Sequence, residues 1–186
     1  IEAGVQVKSI VADQGSLAVC RGAQIFVNGT KENPVIMTSA DDNGTWRPVC
    51  NEWGNLTIMG NGVVSNSSKK GATAPVPVEI TEDNDGVAGG SVTTRTNTSI
   101  PDGVNQAIME GLTAAFTGDP KILYGGDDDY DDSGSIRYLS LRFGGKVIGL
   151  ANELNGLSLG GVGRGTEIDY VEIMNNIDDG IEVWGG

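Results

Sequence analysis

Short runs in which apolar and polar residues alternate recur along the chain. In the N-terminal third they are Val5-Gln6-Val7, Leu17-Ala18-Val19, Gln24–Val27, Pro34–Ser39 and Asn55–Gly60. In the C-terminal third they are Ser135–Leu141, Asn155–Gly161, Glu167–Ile173 and Asp179–Gly186. A period of two puts every second side chain on one face, which predicts β-strands. Gly, Asn and Asp separate the runs and suit tight turns. The middle, 65–120, differs: from Ser65 to Asn105 the chain is polar, with Pro75, Pro77 and Asp83-Asn84-Asp85-Gly86. It reads as an irregular loop or an added lobe. Within it, Ile108, Leu112 and Phe116 have the i, i+4, i+8 spacing of a short amphipathic helix, and a strand ending at Gly111 fits as well.

The C-terminal runs repeat. Asn155-Gly156-Leu157 and Leu159 align with Asp179-Gly180-Ile181 and Val183, an offset of 179 − 155 = 24 residues. Ile136, Tyr138, Leu139 and Leu141 align with Ile168, Tyr170, Val171 and Ile173, an offset of 168 − 136 = 32. The difference of eight is accounted for by an excursion, for which Lys146–Glu153 is the candidate. A period of this length, built from short strands and Gly/Asn corners, predicts an all-β solenoid with about three strands per coil. The whole of 1–186 reads as one such domain.

Composition narrows the partners. The 186 residues carry 12 Lys+Arg against 25 Asp+Glu, a net charge of −13, which opposes nucleic acid and anionic membrane surfaces. No apolar run approaches the ~20 residues of a membrane span. The first residues already alternate like a strand, and Gly186 directly follows one. The sequence therefore reads either as part of a longer solenoid or as a subunit whose ends pair with neighbouring copies into a filament.

Two features bear on location. Cys20 and Cys50 are either two buried thiols or one disulfide of an oxidising compartment. Their separation of 50 − 20 = 30 residues is close to one coil plus a small loop, so a Cys20–Cys50 bond between neighbouring rungs is the expectation. Asn28, Asn43, Asn55, Asn66 and Asn97 each open an N-glycosylation sequon, which points outside the cell.

Candidate chemistry rests on carboxylates. No histidine is present, which removes Ser-His-Asp and Cys-His catalysis and His-based zinc sites. Asp127, Asp128, Asp129, Asp131 and Asp132 could supply hard oxygen ligands for Ca²⁺, or could form a solvated turn that caps local N–H groups. Gly156–Gly165 is glycine-rich but lacks the Gly-Lys-Ser/Thr of a phosphate loop, so its glycines are read as solenoid corners.

The run Tyr124–Gly145, the segment Asn152-Glu153-Leu154-Asn155-Gly156 with Gly160–Gly163, and Asp178-Asp179-Gly180-Ile181-Glu182 with Trp184 together resemble a family of secreted bacterial surface proteins. Residues 15–40 resemble its opening coils. The resemblance implies a right-handed parallel β-helix at the cell surface or outside the cell, without catalytic residues to carry over. Asp178 and Asp179 loosely resemble the paired aspartates of β-helical polygalacturonases, whose Gly-His-Gly element is absent. Arg137, Arg142 and Arg164 are the scattered candidates for a lyase, and Trp46, Trp53 and Trp184 for a sugar-binding groove. The expectation is an extracellular structural solenoid that needs no cofactor, self-associates through its ends and contacts surface polysaccharide. A carbohydrate-active enzyme or glycan-binding module is the alternative.

Overall fold

The structure, a computed structural model, describes residues 1–64, 106–112, 120–149 and 152–186. The Asn66 and Asn97 sequons lie outside the described residues, as does Phe116. The strands are β1 (Gln6–Ser9), β2 (Leu17–Val19), β3 (Ile25–Asn28), β4 (Val35–Ser39), β5 (Leu56–Met59), β6 (Ala107–Ile108), β7 (Leu123–Tyr124), β8 (Gly134–Arg142), β9 (Val147–Gly149), β10 (Asn152–Glu153), β11 (Leu157–Gly160), β12 (Glu167–Met174) and β13 (Ile181–Trp184). Among the described residues the only helical element is a 3₁₀ turn, Pro120–Ile122.

The strands wind into four stacked rungs. Rung one holds β1 and β2; rung two holds β3, β4 and β5; rung three holds β8 and β11; rung four holds β12 and β13. All pairings between rungs are parallel. β3 and β4 both lie on β8, one on each half, because β8 bends at Tyr138, where φ is +52°. β12 bends in the same way at Tyr170, with φ +55°. Each rung thus turns through three arms.

Both offsets read from the sequence are ladder registers: Leu157 pairs with Ile181, and Ile136 with Ile168. The eight-residue excursion is the antiparallel pair β9–β10. In the middle region, Ala107–Ile108 is a strand paired with β7, and a turn follows at 110–112, so the helical alternative fails there.

Alternation sends one side chain in two into the coil, where identical columns form. Val7, Met37, Leu141 and Ile173 make one column. Leu17, Leu56, Leu157 and Ile181 make another, and Val19, Ile58, Leu159 and Val183 a third. The core cluster is built from the buried members of these columns together with Val27, Val35, Ile136, Leu139 and Trp53. Each such burial stabilises by roughly 1.5–3 kcal/mol relative to exposure. Glycine is required where rungs approach closely: at Gly134 (φ +103°), a Cβ would lie 2.0 Å from the Ile25 carbonyl oxygen.

The expected Cys20–Cys50 disulfide is absent; both cysteines are free thiols. The register explains why. β1 meets β4 at an offset of 36 − 6 = 30, but β2 meets β5 at 56 − 17 = 39. The loop 40–55 adds nine residues before β5, so the residue stacked opposite Cys20 is Met59. Cys50 remains exposed in that loop.

Candidate functional site

The outward positions of the three arms have different fates. Over the β1–β4 arm lies the loop 40–55. Thr38 Oγ1 donates to Asp42 Oδ2 (2.9 Å), Lys8 Nζ to the Asp42 carbonyl (2.8 Å), and Trp53 Nε1 to the Arg142 carbonyl (2.7 Å). Arg47 makes two bonds to Glu52 and lies over the Phe143 ring, 4.6 Å from its centroid. Hydrogen bonding to Arg47 holds Glu52 below the usual carboxylate range. Burial works against the Asp42 carboxylate, yet the Gly44 N–H, the Thr38 hydroxyl and the charges of Arg142 and Lys8 hold it below its ordinary value. These groups fasten the loop to the arm.

Over the β5–β11–β13 arm lies the lobe that carries β6 and β7. Met59, Val64, Ala107, Met109 and Tyr124 form its cluster, with Cys20, Leu112 and Trp184 packed against them. Beneath it runs a buried polar seam: Asn55 Nδ2 donates to Ser158 Oγ (3.0 Å), Thr57 Oγ1 to Asn55 Oδ1 (3.2 Å), and Asn155 Nδ2 to Glu182 Oε2. Burial, reinforced by the charges of Glu110, Asp179 and Asp178, pushes the Glu182 carboxyl up to about 7. Sequence reasoning missed Glu182. Its signal was its place one position after Ile181, outward on a strand whose neighbours carry Ser158 and Thr57.

The outward face of the β3–β8–β12 arm is exposed. Phe26 is 50% accessible, and Asn28, Arg137, Glu167 and Asp169 are exposed beside it. Arg137 lies 3.7 Å from Asp169 and over the Tyr170 ring, which stacks on Tyr138 with centroids 4.3 Å apart. A shallow depression of about 420 Å³ is lined by Arg137, Glu167, Ile168 and Asp169. On the neighbouring arm Gln6, Lys8 and Glu172 are exposed as well.

The acidic run is a turn whose carboxylates serve separate donors. Asp128 Oδ1 accepts from Tyr130 N (3.0 Å), Asp129 Oδ1 from Val63 N (3.0 Å) and Asp132 Oδ1 from Gly134 N (2.8 Å). Asp131 is buried and accepts from Asn61 Nδ2 (2.7 Å) and Ser133 Oγ (3.2 Å). Asp127 is exposed. Among the described residues no three acidic or cysteine side chains are grouped to hold a metal ion. Gly163 belongs to this turn's packing, since a Cβ there would lie 2.6 Å from the Asp131 backbone. Leu157–Gly160 within the glycine-rich stretch is strand β11, consistent with corners rather than a phosphate loop.

The other candidates are dispersed. Asp178 and Asp179 are exposed on the turn into β13, where the Asp179 carbonyl accepts from Gly156 N. Arg142 bonds Ser140 Oγ and approaches Glu172 at 3.8 Å, and Arg164 lies by Asp129 and the Tyr130 ring. Trp46 is 68% exposed, Trp53 is buried and Trp184 packs against Tyr124, so no groove of tryptophans forms. Asn28 and Asn43 are exposed, whereas Asn55 is buried with its Nδ2 bonded to Ser158 and is closed to a modifying enzyme in this fold.

Stacked parallel rungs and aligned inward columns define a parallel β-helix. The chain belongs to the family described as the pectate-lyase-like β-helix domain, whose model matches residues 1–99 and 103–186. No curated protein and no solved structure matches it.

Proposed function

We propose that this chain is a structural β-solenoid of the cell surface or extracellular space, whose end rungs dock a further rung supplied by a second copy. The observation that carries the reading is the exposure of inward positions on the outermost described rungs. Val7 and Leu17 on rung one are 38% and 37% accessible; Ile181 and Val183 on rung four are 50% and 62%. On the inner rungs, Met37, Leu56, Ile58 and Leu157 in the same columns are 0% accessible. Rung four of one copy on rung one of the next sets Ile173 against Val7, Ile181 against Leu17 and Val183 against Val19, apolar on apolar in every column. Such a contact is head-to-tail and generates a filament with a rung spacing of about 4.8 Å. Sedimentation velocity tests it: the mean mass is expected to rise with concentration, and a monomer throughout the range overturns it. The exposed Asn28 and Asn43 sequons support the extracellular location; the free thiols lend it no support.

A second reading, a glycan-binding face, is favoured by the open β3–β8–β12 arm. Arg137 and Asp169 supply polar contacts, and Tyr170 supplies an aromatic ring 55% exposed. The family description fits a carbohydrate ligand and a structural role alike. Binding to neutral and acidic polysaccharides, lost on Arg137→Ala, supports it; no binding to either class removes it.

A further inference from the structure

Asn-Gly steps occur at Asn28, Asn43, Asn61 and Asn155. An asparagine in this position can lose its side-chain amide without an enzyme. The glycine nitrogen attacks the asparagine Cγ and closes a five-membered ring, and glycine brings no Cβ to obstruct the closure. At three of the steps that nitrogen is committed to the neighbouring rung. Gly29 N donates to the Arg137 carbonyl (3.0 Å), Gly62 N to the Gly161 carbonyl (2.7 Å) and Gly156 N to the Asp179 carbonyl (3.0 Å). Asn61 and Asn155 also have Nδ2 engaged, on Asp131 Oδ1 (2.7 Å) and on Glu182 Oε2. Asn43, in the loop 40–55, is arranged differently. Gly44 N donates to a carboxylate oxygen, Asp42 Oδ1 (2.8 Å), and Asn43 Oδ1 accepts from Thr45 N (3.0 Å) and Thr45 Oγ1 (2.6 Å). Asn43 and Gly44 are open to water, whereas Asp42 is buried and its second oxygen is held by Thr38 Oγ1 (2.9 Å).

We propose that Asn43 is a self-processing site, at which the Asp42 carboxylate and the two Thr45 donors convert the asparagine into aspartate and isoaspartate with release of ammonia. Asp42 lies within the reach that a general base needs. It draws the proton from Gly44 N as that nitrogen bonds to Asn43 Cγ. The Thr45 donors already bond Oδ1, the oxygen on which negative charge develops. Nδ2 takes a proton from solvent and leaves as ammonia, and Asp42 returns its proton to solvent. One water then opens the ring at either carbonyl, and nothing is oxidised or reduced. The product adds a carboxylate beside Asp41 and Asp42, and it ends the Asn43 sequon, since aspartate has no amide nitrogen for a glycan. The isoaspartate form lengthens the backbone by a carbon within the loop that covers the β1–β4 arm. The inference concerns one chain and stands whether or not copies stack.

Peptide mapping by mass spectrometry of the whole chain, made without glycans and held at neutral pH, provides the test. Native Asn43 is expected to convert at least about tenfold faster than Asn28, Asn61 or Asn155. Exposure alone would let a loop asparagine react no faster than in an unfolded chain. The same chain in guanidinium chloride is therefore the reference. There the four rates are expected to converge, and the native Asn43 rate is expected to exceed its unfolded rate. Thr45→Ala removes a donor at an exposed position and is expected to slow Asn43 several-fold; Thr45→Ser is expected to restore the rate. Asp42→Asn, with its fold checked by circular dichroism, is expected to slow it further. A native Asn43 rate no higher than the unfolded one, or a native rate unmoved by Thr45→Ala or by folded Asp42→Asn, overturns the site.

Discussion

Leu56 and Ile181 occupy the same inward column two rungs apart, with Leu157 between them, yet Leu56 is fully buried and Ile181 is half exposed. The difference is position along the stack, not direction of the side chain. Leu56→Ala is expected to cost about 2–5 kcal/mol, the range for emptying a packed core site. Ile181→Ala in the dilute chain is expected to cost less than half as much. Urea unfolding measures both, and equal losses would show that rung four is already covered.

The corner at Tyr138 and Tyr170 makes an unusual demand. Both residues sit at positive φ, where an L side chain is strained by roughly 1–2 kcal/mol, and their rings stack within 3° of parallel. The stack offsets the strain, since aromatic pairs contribute about 0.5–1.5 kcal/mol beyond area. Tyr138→Ala loses the ring and keeps the strain; Tyr138→Gly loses both. The glycine variant is therefore expected to be the more stable of the two by about 1 kcal/mol. A more stable alanine variant would show that the corner relaxes.

Much of the C-terminal architecture was legible because the column residues at 136–141, 157–159, 168–173 and 181–183 are apolar at fixed offsets. The tyrosine pair was visible as an alignment, but its corner geometry was not, because Tyr carries no αL signal of the kind Gly or Asn does. The N-terminal offset misled because loop 40–55 lengthens one side of rung two, and a single separation of 30 residues cannot reveal which arm a cysteine occupies. The Glu182 seam was illegible for a different reason. Its partner Asn155 comes from a segment 27 residues away, and the pairing exists only once β11 and β13 stack.

The thiols give a direct check on that register. Unreduced intact protein is expected to take up two equivalents of alkylating reagent under denaturing conditions. In the native state Cys50, exposed, is expected to react before Cys20, which packs against the lobe cluster. Protection of both thiols after denaturation would restore the disulfide.

Asp42 and Glu52 fix the acid limb of stability. Their folded values lie below those of the unfolded chain, so the unfolded state binds more protons as pH falls. The stability they contribute is complete above the unfolded carboxylate range and is lost as pH drops through the lowered folded values. Asp42→Asn is expected to be less stable at neutral pH and to flatten the acid decline. An unchanged acid slope in thermal melts would remove Asp42 from that role.

The central claim, that rung four of one copy docks on rung one of another, is tested most directly by mixing two blocked chains. Val183→Glu closes the last rung and leaves the first open; Val7→Glu does the reverse. Each is expected to sediment as a monomer alone, because a head-to-tail contact needs one open end of each kind. Mixed in equal amounts, they are expected to form a heterodimer that grows no further. A mixture that stays monomeric, or either variant polymerising alone, would contradict the account.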